Sequence, residues 1–473
     1  MVVVPGIMGS ELVDAASGKV LWGLKPGALS QLWDRSGALA GLCVTEEERA
    51  GETNRVRASQ LLRFPAWAPV LHGFEPYRAL TASIGQAVAA PSAVLKFPYD
   101  WRLPVEYNGR LLAEAARRHL QTWIAAVRAT PTLRRREDRE PQLVFVAHSM
   151  GGLVTRAALA HHRDLLPDTR AVVTLGTPFL GSAKAAVMLN GGRRLSHGPV
   201  ASRVLDCLQS LTITLPGVHD LLPDYRCVDE GLEVARITPE RVSALGGDGE
   251  LARISSEFQA RMRSDDGVIL PGHRAVVGVA QPTVQSIRVT EGVVHPQHDA
   301  FLTYPDGELR RDANGIPERR DRAGDGTVYR DAARGGVSKP VYLPVQHGAL
   351  AKDETVLRYV NAVLTEYDDQ VGPPMGRGEL GMSLPEAGVI AGVSWTLLVT
   401  GRTSSAGVGC RLVDANTGRQ IARVQMAARE GALTATVTIP KPGLYRIEAQ
   451  AGGGTPVTQL LVAHAPDAAA GDS

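Results

Sequence analysis

The chain has 473 residues, more than one ordinary domain needs, and an apolar fraction of 44%, enough to fill a sizeable core. Its 51 Lys and Arg nearly cancel 49 Asp and Glu, and a net charge of +2 gives no electrostatic reason to expect nucleic acid as partner. The basic runs Arg134-Arg135-Arg136 and Arg310-Arg311 are short and interleaved with acids, so they read as solvated loop.

In chain order, short β-branched runs recur, each followed by a turn and a helical stretch: Val2–Val4, Ala93–Leu95, Leu143–Val146, Ala171–Leu175, Ala275–Val279 and Val341–Leu343. Runs apolar on both faces suit a buried parallel sheet. Between them Leu111 to Val127 and Leu153 to Leu166 carry apolar residues at three- and four-residue intervals, which predicts helices. Residues 182–271 are far too long for a simple connection and are expected to form a cap, so the core occupies 1–181 and 272–371. A second polar excursion runs over about 281–322. Gly372-Pro373-Pro374 and Gly376 read as a linker. Beyond it, 375–465 shows short alternating strands (Trp395 to Val399, Leu433 to Ile439, Leu444 to Ala449) and the turn Asp414 to Gly418, the pattern of an immunoglobulin-like β-sandwich. That unit is expected to fold by itself, so a chain ending near Val371 should keep its activity. Ala465 to Ser473 reads as a frayed tail.

The chemistry centres on Val146-Ala147-His148-Ser149-Met150-Gly151-Gly152. A nucleophilic serine between a strand and a helix sits on a sharp turn that tolerates only small residues two positions before and after it, and Ala147 and Gly151 meet that need. The serine hydroxyl needs a base and an orienting acid, which in such a fold follow in the order Ser, acid, His. Only His347 and His464 lie beyond the Gly324-Asp325-Gly326-Thr327-Val328 loop, and His464 is near the terminus. His347 is therefore the candidate base. Asp325, on its glycine-flanked loop 22 residues earlier (347 − 325), is the candidate acid, with Asp321 and Asp331 as competitors. The Met150 amide, at a helix N-terminus, and the Ile7 amide, in the loop Val4-Pro5-Gly6-Ile7-Met8-Gly9-Ser10, are the candidate oxyanion donors.

Together, Val4 to Leu12, Phe97-Pro98-Tyr99-Asp100-Trp101-Arg102, Ala147 to Gly152, Leu175-Gly176-Thr177-Pro178-Phe179-Leu180-Gly181-Ser182, Gly324 to Val328 and His347-Gly348 resemble the lecithin:cholesterol acyltransferase family. That family includes lysosomal phospholipase A2 and phospholipid:diacylglycerol acyltransferases. The resemblance spans roughly residues 1–365 and excludes the β-rich tail. It implies an α/β-hydrolase core with a mostly parallel sheet and an acyl-serine intermediate. It carries the same roles onto Ser149, Asp325, His347, Ile7 and Met150. The expected function is a serine esterase or lipase acting on lipid or phospholipid esters. Its rivals are an O-acyltransferase using an alcohol acceptor, and a binding protein that keeps a hydrolase body as a scaffold.

Other groups weigh less. Tyr99 to Arg102 could line the pocket, but an Asp–Arg brace of the core is the better reading. His295, His298 and Asp299 are of metal-ligating type, yet a polar loop accounts for them, and no metal or cofactor is called for. Leu205, Leu208, Leu211, Ile213 and Leu215 suit an acyl-binding wall or ordinary cap core equally well. Cys207 and Cys227 are near enough in sequence to be bridged, though spacing cannot set their geometry. No run reaches a membrane span and the N-terminus has no basic n-region, so a cytoplasmic location is expected, with peripheral membrane contact left open. The sandwich could bind a protein partner, a glycan or a membrane surface.

Overall fold

The computed structural model describes residues 1–23, 39–130, 140–191, 199–263, 269–304, 306–336, 339–368, 380–452 and 456–466. The linker at 372–376, Arg134 to Arg136 and most of the expected tail lie outside these residues.

A 6-stranded sheet forms the centre of the molecule. Its strands are β1 (Val2–Val4), β2 (Leu95–Lys96), β3 (Leu143–His148), β4 (Thr169–Leu175), β5 (Arg274–Gly278) and β6 (Val341–Leu343). They lie in the order β6-β5-β4-β3-β1-β2, and every pairing is parallel. The register sets Val3 against Val146, Val146 against Val173, and Val276 against Val341. Such a sheet has to be covered on both faces, which is why its strands carry Val and Leu almost without interruption. Five of the expected runs coincide with strands. The sixth begins later, at Leu95, because Pro91–Ala93 turns instead of extending.

The longer helices are α1 (Arg78–Ala87), α2 (Val105–Ala129), α3 (Met150–His161), α4 (Ala183–Leu189), α5 (Pro199–Thr212), α6 (Gly249–Arg263) and α7 (Glu354–Leu364). Helix α2 follows Pro104, and the Asp220 carboxylate accepts from the Val105 N–H at 2.7 Å. Burial raises the Asp220 carboxyl to about 6 against that hydrogen bond. Helices α4 to α6 belong to the long insertion between β4 and β5. Leu205, Leu208, Leu211 and Leu215 are fully buried in the main apolar cluster. The polar excursion is less irregular than its composition suggests. Ser286–Thr290 and Val293–Gln297 form a hairpin that joins Val228–Asp229 and Val234–Ala235 of the insertion in a 4-stranded sheet.

The C-terminal stretch forms two further sheets from β7 (Gly381–Ser383), β8 (Val389–Ile390), β9 (Ser394–Thr400), β10 (Val408–Asp414), β11 (Gln420–Arg423), β12 (Ala427–Arg429), β13 (Ala432–Thr438), β14 (Gly443–Ala451) and β15 (Val457–His464). Their orders are β7-β9-β13-β12 and β8-β15-β14-β10-β11, facing each other across Leu397, Val399, Leu412, Leu433 and Ile447. The Asp414 carboxylate builds the expected turn by accepting from the Asn416 and Thr417 amides at 3.0 and 2.8 Å.

This sandwich packs on the core. Ala387, Ala415, Leu444, Leu460 and Val462 bury themselves in the same apolar cluster as β1 and β3. Strand β15 packs on a hairpin of Ala66–Ala68 and His72–Phe74. Gly73 lies so close to Leu460 that a Cβ on it would collide with that side chain. The alternating pattern showed that 375–465 could pair with itself; it held no sign that one outer face was also apolar enough to be covered.

Candidate active site

The candidate residues converge at the C-terminal ends of β1, β3, β5 and β6. Ser149 follows β3 directly, with φ 54° and ψ −129°, a conformation costing an L-residue about 1–3 kcal/mol. Its amide donates to the Leu175 carbonyl at 2.8 Å, tying the turn to β4. Gly151 is required because a Cβ there would fall on the Val4 and Pro5 carbonyl oxygens. Ala147 in place of the usual glycine is accommodated, fully buried.

His347 opens a single 3-10 turn, His347–Ala349, beyond β6. Its Nε2 lies 2.8 Å from Ser149 Oγ and its Nδ1 2.7 Å from Asp325 Oδ2. Asp325 is inaccessible to solvent, and its other oxygen accepts from the Thr327 and Val328 amides at 3.0 and 2.8 Å. The His347 amide donates to the Asp325 carbonyl at 2.8 Å, which fixes the two loops to each other. The competitors are engaged elsewhere. Asp321 accepts from Gln285 and the Ala323 amide, both at 2.6 Å, and Asp331 pairs with Arg322 at 2.8 Å.

Ile7, Ser149 and His347 line one cavity, and Met150 begins α3 beside them. The loop carrying Ile7 is braced on several sides. Tyr99 Oη donates to the Pro5 carbonyl at 2.9 Å and Trp22 Nε1 to the Met8 carbonyl at 2.8 Å. The Gly6 amide donates to Tyr77 Oη at 2.9 Å, and Tyr77 Oη lies 2.7 Å from His148 Nδ1. Burial, then repulsion from His347, lowers the His148 imidazole to about 3, so it is neutral. Its Nδ1 therefore accepts from Tyr77, and its Nε2–H donates to the His347 carbonyl at 3.0 Å. One hydrogen-bonded chain thus links the Ile7 loop to the backbone of His347. Sequence reasoning missed this chain; His148 stands in the serine motif, but nothing local marks Tyr77 as its partner.

The remaining candidates fall outside the cavity. Arg102 is completely buried between Asp100 and Glu48, 2.7 Å from each, so it braces the core. His298 Nδ1 lies 3.1 Å from the Thr283 carbonyl, and no metal-holding group of His, Cys, Asp or Glu occurs among the described residues. Cys227 is a free thiol raised to about 12 by burial, so the Cys207–Cys227 bridge does not form. The cavity wall comes instead from Leu71, Phe74, Ala185, Met188 and Leu221, with Lys184 as its one lysine. Of these, Leu221 falls in the stretch Leu215 to Pro223 that resembles a family cap segment, and the others carried no signal in the sequence. No described helix is long and apolar enough to cross a membrane.

A parallel sheet flanked by helices, with a serine on a strained strand-to-helix turn and a histidine and an aspartate on later loops, defines the α/β-hydrolase fold. Within it, the resemblance read from the motifs is borne out. The lecithin:cholesterol acyltransferase family model matches residues 75–234. Among solved structures, the chain is similar to one in the Tle4–Tli4 complex at 15% identity, with a TM-score of 0.45 over 79% of this chain and 99% of that one. The Bacillus licheniformis lipase BlEst2 in propeptide form is 14% identical, with a TM-score of 0.29 over 98% and 73%. Phospholipase PlaB from Legionella pneumophila is 10% identical, with a TM-score of 0.22 over 82% and 88%. No curated protein matches the chain.

Proposed function

We propose that the chain is a serine hydrolase that cleaves acyl esters, lipid or phospholipid esters among them, through an acyl-Ser149 intermediate. The observation that carries this reading is the continuous contact from Asp325 Oδ2 through His347 to Ser149 Oγ, at 2.7 and 2.8 Å. His347 Nε2 takes the Ser149 proton as Oγ attacks the ester carbonyl. Asp325 holds the Nδ1–H tautomer and stabilises the imidazolium that forms. The Ile7 and Met150 amides receive the negative charge developing on the carbonyl oxygen, and removing one such donor typically costs about 10²–10³ in rate. Collapse of the tetrahedral intermediate expels the alcohol, protonated by His347, and water activated by the same imidazole releases the acid.

The family that matches is named for acyl transfer, which favours an acceptor alcohol in place of water as the second reading. Substrate is the partner this reading requires, and it calls on no cofactor. The test is turnover of p-nitrophenyl butyrate by the wild-type chain and by Ser149→Ala. Wild type should hydrolyse the ester, and Ser149→Ala should fall to background while unfolding at nearly the same temperature. Equal turnover by the two proteins would refute the assignment.

A further inference from the structure

The C-terminal sandwich sends a carboxylate to the active-site wall. Glu386 lies in the segment between β7 and β8. Its Oε1 is 3.5 Å from Nζ of Lys184, and its Oε2 is 3.0 Å from Nε2 of His72. Lys184 sits at the start of α4, almost wholly buried, and lines the cavity that holds Ser149 and His347. Its ammonium also donates to the Val70 carbonyl at 2.6 Å, and the Val70 amide donates to the Glu386 carbonyl at 3.0 Å. The side chain and backbone of Glu386 therefore both grip the segment 70–72, which supplies Leu71 to the cavity. Burial opposes ionisation of Glu386, but His72 and Lys184 outweigh it and hold the carboxyl at about 2. Burial lowers His72, while Glu386 acts in the opposite direction.

An ammonium beside an apolar pocket would attract an anionic group entering it. Here the attraction is already spent on a carboxylate supplied by another part of the chain. We propose that Glu386 is a specificity-determining residue: by neutralising Lys184 it makes the pocket select uncharged acyl chains over anionic ones. The sandwich then belongs to the substrate site, although it contributes no atom to the Ser–His–Asp contact. The idea rests on the Ser149 hydrolase reading, so its test includes an arm that needs no turnover.

The experiment compares matched p-nitrophenyl esters: butyrate against hemisuccinate, and pentanoate against hemiglutarate. Wild type should prefer the neutral member of each pair. Comparable kcat/KM for the two members would overturn the proposal before any variant is made. Glu386→Gln keeps the shape and removes the charge. It should move the anionic-to-neutral kcat/KM ratio upward by about tenfold, the scale of one charged hydrogen bond, with the change in KM. Lys184→Met in the Glu386→Gln background should abolish that gain. A merely structural ion pair would lower both members of a pair together, which contradicts the proposal. In the Ser149→Ala background, calorimetry with sodium butyrate and disodium succinate reads the same preference without catalysis. Tighter succinate binding after Glu386→Gln supports the pocket reading even if no ester is turned over, and unchanged relative affinity overturns it.

Discussion

Asp325 owes its position to a short turn rather than to a strand or helix. Gly324 and Gly326 flank it, two amides from the same turn occupy Oδ1, and only Oδ2 faces His347. Asparagine there could still accept from those amides, yet it would neither fix the His347 tautomer nor stabilise the imidazolium. Asp325→Asn should therefore lower kcat about 10³–10⁴-fold, the scale for a misoriented base. Asp321→Asn and Asp331→Asn should stay within a few-fold of wild type, since those carboxylates serve Gln285, the Ala323 amide and Arg322. Steady-state kinetics on p-nitrophenyl butyrate would decide, and greater damage from Asp321→Asn would contradict the geometry. Ser149, His347 and Asp325 were legible in the sequence because small neighbours and chain order constrain each of them locally. Tyr77 and Lys184 were not, because their partners His148 and Glu386 lie far along the chain and are met only after folding.

The element that shapes the cavity is the hairpin of Ala66–Ala68 and His72–Phe74. Val70 and His72 both adopt positive φ, 66° and 62°, without being glycine. The turn therefore stores strain and is held by its contacts, above all by Glu386. Leu71 and Phe74 leave a cavity of only ≈ 20 Å³, room for about one water molecule. An acyl chain must displace this wall or find it smaller. Leu71→Ala and Phe74→Ala should thus raise kcat/KM for p-nitrophenyl octanoate relative to butyrate by about tenfold or more, the low end of the discrimination one methylene brings in an apolar pocket. An unchanged ratio would mean that the chain enters along another wall. No residue pattern marks this hairpin as pocket wall. Its strands are too short for periodicity to mark, and the cap leucines that drew attention instead are ordinary core.

For the whole molecule, the central sheet and the self-pairing of the tail could be read from residue patterns, whereas their junction could not. Arg446 on β14 donates to both oxygens of Glu75, at 2.8 and 2.9 Å, and Lys352, just beyond the His347 turn, donates to the same carboxylate at 2.7 Å. The Gly348 carbonyl accepts from the Glu75 amide at 3.3 Å, and a Cβ on Gly348 would collide with the Gly73 carbonyl. The sandwich thus backs the hairpin, and the hairpin backs the turn that carries His347. Ending the chain near residue 371 would expose Trp67, Gly73 and the buried Glu75 and remove Glu386. The truncated protein should therefore unfold at a markedly lower temperature and lose most soluble-ester turnover, as read by calorimetry and the p-nitrophenyl butyrate assay. A well-folded, fully active truncation would show that these contacts are dispensable. We propose that the core segments 1–181 and 272–371, the insertion 182–271 and the sandwich 375–465 act as one catalytic unit.

The central claim is that Ser149 is the nucleophile, activated by His347. Its most direct measurement is the intact mass of the protein after brief exposure to a fluorophosphonate, with the labelled peptide sequenced. The account predicts a single phosphonyl adduct on Ser149, no adduct in Ser149→Ala, and labelling slowed by orders of magnitude in His347→Ala. An unmodified Ser149, or an adduct that forms equally fast without His347, would contradict it.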